Sequence, residues 1–241
     1  MAEQTMQPPL ARAGAAWGWL HALSSTRVYD LAIRLAFISA ILFLALPSAV
    51  GVARRAQGHL GAWDLALFAD LLARMGVLLF FVLAAFLVLV RIRPVSKAHG
   101  LQPRLSALAG SFLLMSMALF PRHDLSIGLN LLSAGLIFLG HMLAVYALAW
   151  LGRSFSIMAE ARRLVTEGPY ALVRHPLYAA EVIAAIGLFL QYASPWTALL
   201  IVVSLGFQLQ RMRNEERVLV ATFPEYAVYA DRTRRLMPGV Y

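Results

Sequence analysis

The sequence predicts an all-α, polytopic transmembrane helical bundle of about six spans, and three observations carry that prediction. Of the 241 residues, 61% are hydrophobic and only 14% charged, whereas about a quarter of an ordinary soluble domain is charged. Mean hydropathy is +0.71. Apolar runs such as 75–90 and 127–151 approach or exceed the roughly 20 residues that cross a bilayer as a helix. Disorder, collagen-like structure and a soluble dinucleotide-binding domain are excluded by the same numbers. Cysteine is absent, so there is no disulfide framework, zinc-thiolate site, iron–sulfur cluster or cysteine nucleophile.

The elements follow in chain order. Residues 1–30 contain Trp17, Trp19, Leu20 and Leu23 near Arg12 and Arg27, a composition that suits a stretch lying at the lipid headgroups. No positive start runs directly into an apolar core with a small-residue cleavage site, so no signal peptide is read. Six apolar segments come next, at 31–50, 66–90, 105–120, 126–151, 177–190 and 195–210. The third and fifth are too short to cross unaided, so flanking turns contribute or the last two form a tight helical hairpin. Pro195 suits the first position of the hairpin's second arm. The expected organisation is therefore an interfacial segment (1–30), transmembrane helices one to four (31–151), and a C-terminal core with a polar tail (152–241).

Net charge is +9, from twenty arginines and Lys97. Sixteen of these basic residues fall in 1–30, 91–104, 152–175 and 211–241, against three in 51–64 and 121–125. By the positive-inside rule both termini and the connection after the fourth span face the cytoplasm. The basicity reads as topology. No aromatic interleaving or binding motif accompanies it, so a nucleic-acid partner is not expected. Inside the spans, Asp70 and Arg74 are one helical turn apart and are expected to neutralise each other. His141 is expected to be a core histidine bonded to a neighbouring helix. Glu181 has no basic residue on its own helix and must find its partner elsewhere.

The chemistry-bearing residues concentrate in two stretches. The first runs through Gly152-Arg153-Ser154-Phe155-Ser156 and Arg162-Arg163-Leu164-Val165-Thr166-Glu167-Gly168-Pro169-Tyr170 to Val173-Arg174-His175-Pro176-Leu177-Tyr178. Gly168-Pro169 signals a turn, and Pro176 before an apolar run signals a helix start whose positive dipole end faces Arg174 and His175. This is an anion-binding arrangement; it is equally a surface turn of interfacial Arg, His and Tyr anchors. The second stretch carries Arg211, Glu215 and Glu216 where the last span ends, then Phe223-Pro224-Glu225-Tyr226 and Arg234-Arg235-Leu236-Met237-Pro238. A cationic turn and a carboxylate pair separated by one hairpin suit a small zwitterion.

Gly168-Pro169-Tyr170, Val173-Arg174-His175-Pro176 and Tyr178, followed by Glu215-Glu216 and Leu219, resemble the isoprenylcysteine carboxyl methyltransferase family and, more loosely, membrane phospholipid methyltransferases. The likeness covers about 150–241. It implies S-adenosylmethionine as cofactor, with S-adenosylhomocysteine as product, bound outside any Rossmann fold in a cytoplasmic pocket closed by the C-terminal tail. Carried over, it implies that Tyr170, Val173, His175 and Tyr178 contact the cofactor and that Glu215 and Glu216 meet its ribose and ammonium groups. A lipophilic or prenylated acceptor in the membrane follows, with Arg174 and Arg211 as the arginines that orient a carboxylate, Arg235 as a weaker candidate, and no metal required. An amine acceptor would first have to lose a proton, to Glu181 or Glu216. Ala159 departs from the proline that many bacterial relatives carry before Glu160. The expected location is the inner membrane of a bacterium. Alternatives are a phospholipid headgroup N-methyltransferase, a nicotinamide-dependent membrane reductase and a non-catalytic scaffold.

Overall fold

The structure, a computed structural model, describes residues 27–58 and 64–237. The tryptophan-bearing stretch expected at the headgroups and the terminal Pro238 lie outside the described residues. Among the described residues, three helices are long and apolar enough to cross a membrane, over Asp30–Gln57, Leu65–Val90 and Ile127–Ser154. They belong to α1 (Arg27–Gly58), α2 (Leu65–Val90) and α4 (Ile127–Leu151). Between the last two lies α3 (Leu101–Phe112), which tightens into a 3-10 segment over Leu113–Leu119. The expected third span is thus half α-helix and half 3-10, and not a full crossing.

Two further helices complete the bundle, α5 (Pro176–Gln191) and α6 (Pro195–Thr222), followed by the short α7 (Tyr226–Arg232) in the tail. Both long helices open on proline at their first position, where the missing N–H costs nothing. Ser194 and Thr197 form a capping box at the start of α6. Only residues 192–194 separate α5 from α6, and hydrogen bonds from Tyr178 to Glu215 and from Gln208 to Glu181 join the two arms. Their backbones pack chiefly elsewhere, α5 on α4 and α6 on α3.

Small residues explain the α4–α5 crossing. A Cβ on Gly140 would lie 2.5 Å from the Ala184 backbone nitrogen, so the two backbones touch there, as small residues allow in membrane helices. Farther along, the Ser133 hydroxyl donates to the Gly187 carbonyl at 2.8 Å and accepts from the Gln191 amide at 2.8 Å. Large side chains on the outer faces remain open, with Phe43 exposed by 73%, Val82 by 55% and Val202 by 65%. Such a surface belongs against lipid, and the chain is an integral membrane protein.

The charged residues gather at the two ends. At one end Asp30 pairs with Arg34 and Arg91, and Arg34 and Arg153 cap the free carbonyls of Leu89 and Val90. A two-stranded antiparallel ribbon joins β1 (Ser96–Lys97) to β2 (Glu160–Ala161) there. At the opposite end Asp70 meets Arg74 at 2.8 Å, as the sequence suggested, and also Arg55 at 2.9 Å and Arg122 at 4.0 Å. His141 departs from expectation. Its Nδ1 lies 2.8 Å from the Ile137 carbonyl on its own helix, and the neighbouring helix supplies only an edge-on ring contact from Phe80.

Candidate active site

The connection after α4 folds back because Gly168 permits it. Its φ is +59°, and a Cβ there would run into the Trp150 ring, so both the backbone conformation and the space demand glycine. Pro169 then opens the single 3-10 turn Gly168–Ala171, which buries Tyr170. Beyond it the chain pairs with the C-terminal tail. Val173 forms a parallel bridge with Arg234, and the amides of Arg174 and His175 donate to the carbonyls of Arg234 and Arg235 at 2.7 and 2.9 Å. The tail is fastened again where the Tyr229 hydroxyl donates to the Tyr170 carbonyl at 2.7 Å. The tail thereby takes up the two backbone amides that precede α5.

From the other side α6 contributes Arg211, Glu215 and Glu216. Arg211 is buried at 3% exposure, with Nε on Glu215 at 3.1 Å, Nη1 on the Ser111 hydroxyl at 2.7 Å and Nη2 on the Ser156 carbonyl at 3.5 Å. Glu215 also accepts from the Tyr178 hydroxyl at 2.6 Å. The rings of His175 and Tyr178 stack with centroids 5.4 Å apart, and the Arg211 guanidinium lies 4.9 Å from the Tyr178 centroid. A stacked His175–Tyr178 pair bearing a guanidinium thus forms one wall of the site.

Glu216 is held differently. Arg235 Nη2 reaches it at 2.8 Å, His175 Nε2 at 3.2 Å and Arg174 Nη1 at 3.4 Å. Burial alone would raise its pKa, but the hydrogen bonds from His175 and Arg235 and the nearby charges outweigh it and bring the carboxyl down to about 2. Tyr170 moves the other way. Burial, reinforced by Glu215, pushes its phenol well above the ordinary value, so it remains a hydrogen-bond donor at neutral pH.

Two cavities flank this machinery. A cleft of about 110 Å³ is lined by Tyr170, Arg174, His175, Tyr178, Arg211 and Glu215, and also by Glu160 and Arg162 from the ribbon. It is smaller than the ~300 Å³ at which small-molecule pockets usually begin, so a nucleoside-sized ligand must widen it. Several buried polar atoms of the lining residues lack any hydrogen-bond partner among the described residues, among them the Tyr170 hydroxyl, Arg174 Nε, and Arg162 Nε and Nη1. Buried donors left this way are costly, and a polar ligand would satisfy them. The second cavity, of about 320 Å³, lies among the spans and reaches from Asp70 and Arg74 to Glu181 and Gln208. Glu181 accepts from Gln208 Nε2 at 2.7 Å, which is the partner its own helix lacked. Tyr178 and Glu181 on α5, and Gln208 and Arg211 on α6, are each one helical turn apart, so the cavity and the cleft abut at these four residues.

Residues 133–221 match the model of the isoprenylcysteine carboxyl methyltransferase (ICMT) family. Over this segment the chain is similar to that family. Among curated relatives, the cobalt-zinc-cadmium resistance protein CzcN of Cupriavidus metallidurans is 40% identical over 99 residues, covering 38% of this chain and 45% of that protein. Protein-S-isoprenylcysteine O-methyltransferase B of Arabidopsis thaliana is 35% identical over 112 residues, covering 44% of this chain and 57% of that protein. The protein-S-isoprenylcysteine O-methyltransferase of Schizosaccharomyces pombe is 37% identical over 112 residues, covering 44% and 47%. The chain spans about half the length of the curated relatives it matches. The matched ICMT segment runs from the α4–α5 crossing to the end of α6, and so contains every residue of the cleft wall except those of the tail.

Of the residues singled out in the sequence, Tyr170, Arg174, His175, Tyr178, Arg211 and Glu215 come together around the cleft. Val173, Glu181 and Glu216 do not line it. Val173 is engaged with the tail, Glu181 faces the membrane cavity, and Glu216 anchors Arg235. Sequence reasoning missed Ser111 and Gln208, which hold Arg211 and Glu181, and although Ser156 stands in the first stretch it did not foresee the contact of that residue's carbonyl with Arg211. It also passed over Arg162, a charge carried into the interior beside a strand too short to register in hydropathy.

Proposed function

We propose that this protein is a membrane-integral methyltransferase that moves a methyl group from S-adenosylmethionine to the carboxylate of an isoprenylcysteine-like or other lipophilic acceptor. The observation that carries the reading is the convergence of the 168–178 turn and Glu215 on one cleft, with a membrane cavity abutting it. The donor set suits the cofactor: Glu215 for ammonium or ribose hydroxyls, unpartnered N–H and O–H groups for the methionine carboxylate, and the His175–Tyr178 pair beside the sulfonium. When bound, the cofactor supplies an electrophilic methyl group on positively charged sulfur.

The protein's task is then to align and to exclude water. Tyr178 and Arg211 form the boundary between cleft and cavity, so a lipid tail resting in the cavity would present its head group at Arg211. Ser111, Ser156 and Glu215 fix that guanidinium, and a fixed guanidinium orients a carboxylate well. A carboxylate is ionised at neutral pH and needs no base, which leaves Glu181 and its Gln208 partner as a polar lining of the cavity's inner end. The likeness to the ICMT family over 133–221 and the basic end of the bundle support a cytoplasmic cleft, with both termini on that side and the bacterial inner membrane as the location.

The test is methyl transfer by purified protein from radiolabelled S-adenosylmethionine, with a farnesylated cysteine analogue beside phosphatidylethanolamine. The expected product is a base-labile methyl ester on the prenylated acid. Label on the amine, or none on either acceptor, would refute the reading.

A further inference from the structure

Arg162 follows β2, and alternation along that strand puts it on the same face as Glu160. Its side chain is 1% exposed, and among the described residues its hydrogen bond is from Nη2 to Glu160. That carboxylate is already shared, since it accepts from the Ser156 hydroxyl at 2.8 Å and sits 4.0 Å from the Lys97 ammonium. Nε and Nη1 of Arg162 have no partner among the described residues. A guanidinium is charged at every physiological pH and carries five N–H donors, so a buried one with two idle nitrogens is incomplete. The same cleft holds a second idle donor, the Tyr170 hydroxyl.

His175, which the family likeness implies as a cofactor contact, is engaged elsewhere. Its backbone amide serves the tail and its Nε2 faces Glu216. Arg162 has free donors where His175 has few. The ligand's charge is constrained as well. Glu160 and Glu215 also line the cleft, so a dianion such as phosphate would be repelled, whereas a single carboxylate beside an ammonium meets both signs.

We infer that Arg162, helped by the Tyr170 hydroxyl, is the binding residue for the α-carboxylate of the ligand's amino-acid end, a role that rests on the cofactor reading above. Glu160, Ser156 and the β1–β2 ribbon hold the guanidinium in position, and widening of the cleft on binding brings its idle edge to the ligand.

The experiment compares equilibrium binding of S-adenosylmethionine and decarboxylated S-adenosylmethionine, which differ only in that carboxylate, to the full chain purified in lipid nanodiscs as wild type, Arg162→Lys and Arg162→Gln. Wild type should prefer the carboxylated form by roughly 10- to 100-fold, as a charge-assisted hydrogen-bonded pair implies. Arg162→Gln should erase most of that preference and Arg162→Lys part of it. An undiminished preference in Arg162→Gln, or a parallel loss for both ligands, would overturn the assignment. Should Arg162→Gln fail to fold, equal affinity of wild type for both forms, or an unaltered ratio in Arg162→Lys, would overturn it as well. Wild type that binds neither form refutes the cofactor reading itself, an outcome distinct from the others.

Discussion

Replacing Glu216 with Gln should release the C-terminal tail without unfolding the bundle. The carboxylate receives Arg235 Nη2 at 2.8 Å and Nε at 3.1 Å, with His175 and Arg174 beside it. Glutamine keeps the shape but loses the charge, so the contacts with Arg235, Arg174 and His175 lose the carboxylate's attraction and one acceptor oxygen is replaced by an amide that cannot accept. Its lowered pKa would nominally correspond to about 3 kcal/mol, but the Arg235 side chain is 29% exposed, and solvent screening reduces the expected effect to about 1–2 kcal/mol. The backbone bonds from Arg174 and His175 to the tail and the Tyr229 bond to Tyr170 remain. Local opening should therefore become roughly 5- to 30-fold more frequent. Hydrogen–deuterium exchange followed by peptide mapping reads this directly. Faster exchange is expected in peptides covering 170–178 and 226–236, with α2 and α4 unchanged. Equal protection of the tail in wild type and variant would refute the reasoning, as would loosening spread evenly over the bundle.

Four further outcomes follow from the same geometry. Because the Glu216 pKa is depressed from 4.5 to about 2, tail protection should be constant above about pH 5 and should fall as the pH drops toward 2; a loss beginning near pH 7 would contradict this. Gly168→Ala should lower stability by about 2–4 kcal/mol and weaken cofactor binding, since it combines a positive φ with a clash against Trp150; thermal melting and titration of S-adenosylhomocysteine check both. Gly140→Ala should destabilise by about 1–3 kcal/mol because its Cβ meets the α5 backbone, whereas Gly135→Ala, with nothing within 4 Å, should be neutral or stabilising; equal melting temperatures would contradict the close crossing. Tyr178→Phe removes the donor that holds Glu215 at 2.6 Å and should weaken cofactor binding about 5- to 30-fold, as measured by the same titration.

Much of this was legible in the sequence because it depended on local patterns. Pro176 and Pro195 mark helix starts through a missing N–H, Gly168-Pro169 marks a turn, and Asp70 with Arg74 is a one-turn pair whatever surrounds it. The two-part motif identified most of the cleft wall for a related reason, since its residues sit at fixed offsets from those landmarks. Long-range pairing was not legible. Which side of α6 faces the tail decides that Glu216 meets Arg235 while its neighbour Glu215 meets Tyr178, and a Glu-Glu dipeptide carries no sign of that division. Nor does hydropathy distinguish an α-helix from the 3-10 segment after Phe112, or a hairpin from two arms packed on different partners. His141 turned to its own helix because the Ile137 carbonyl lies one turn back, within reach of Nδ1. Arg162 looked like one more basic residue on a cytoplasmic connection, and only the pairing of residues near 96 with those near 161 carries it inside.

The most direct measurement is ultraviolet cross-linking of radiolabelled S-adenosylmethionine to the purified membrane protein, followed by peptide mapping. Label should appear in peptides from both the 154–178 connection and the 211–229 end of α6, and excess S-adenosylhomocysteine should suppress it in both. Label confined to one of these segments, or found only on the spans lining the membrane cavity, would contradict a shared cleft.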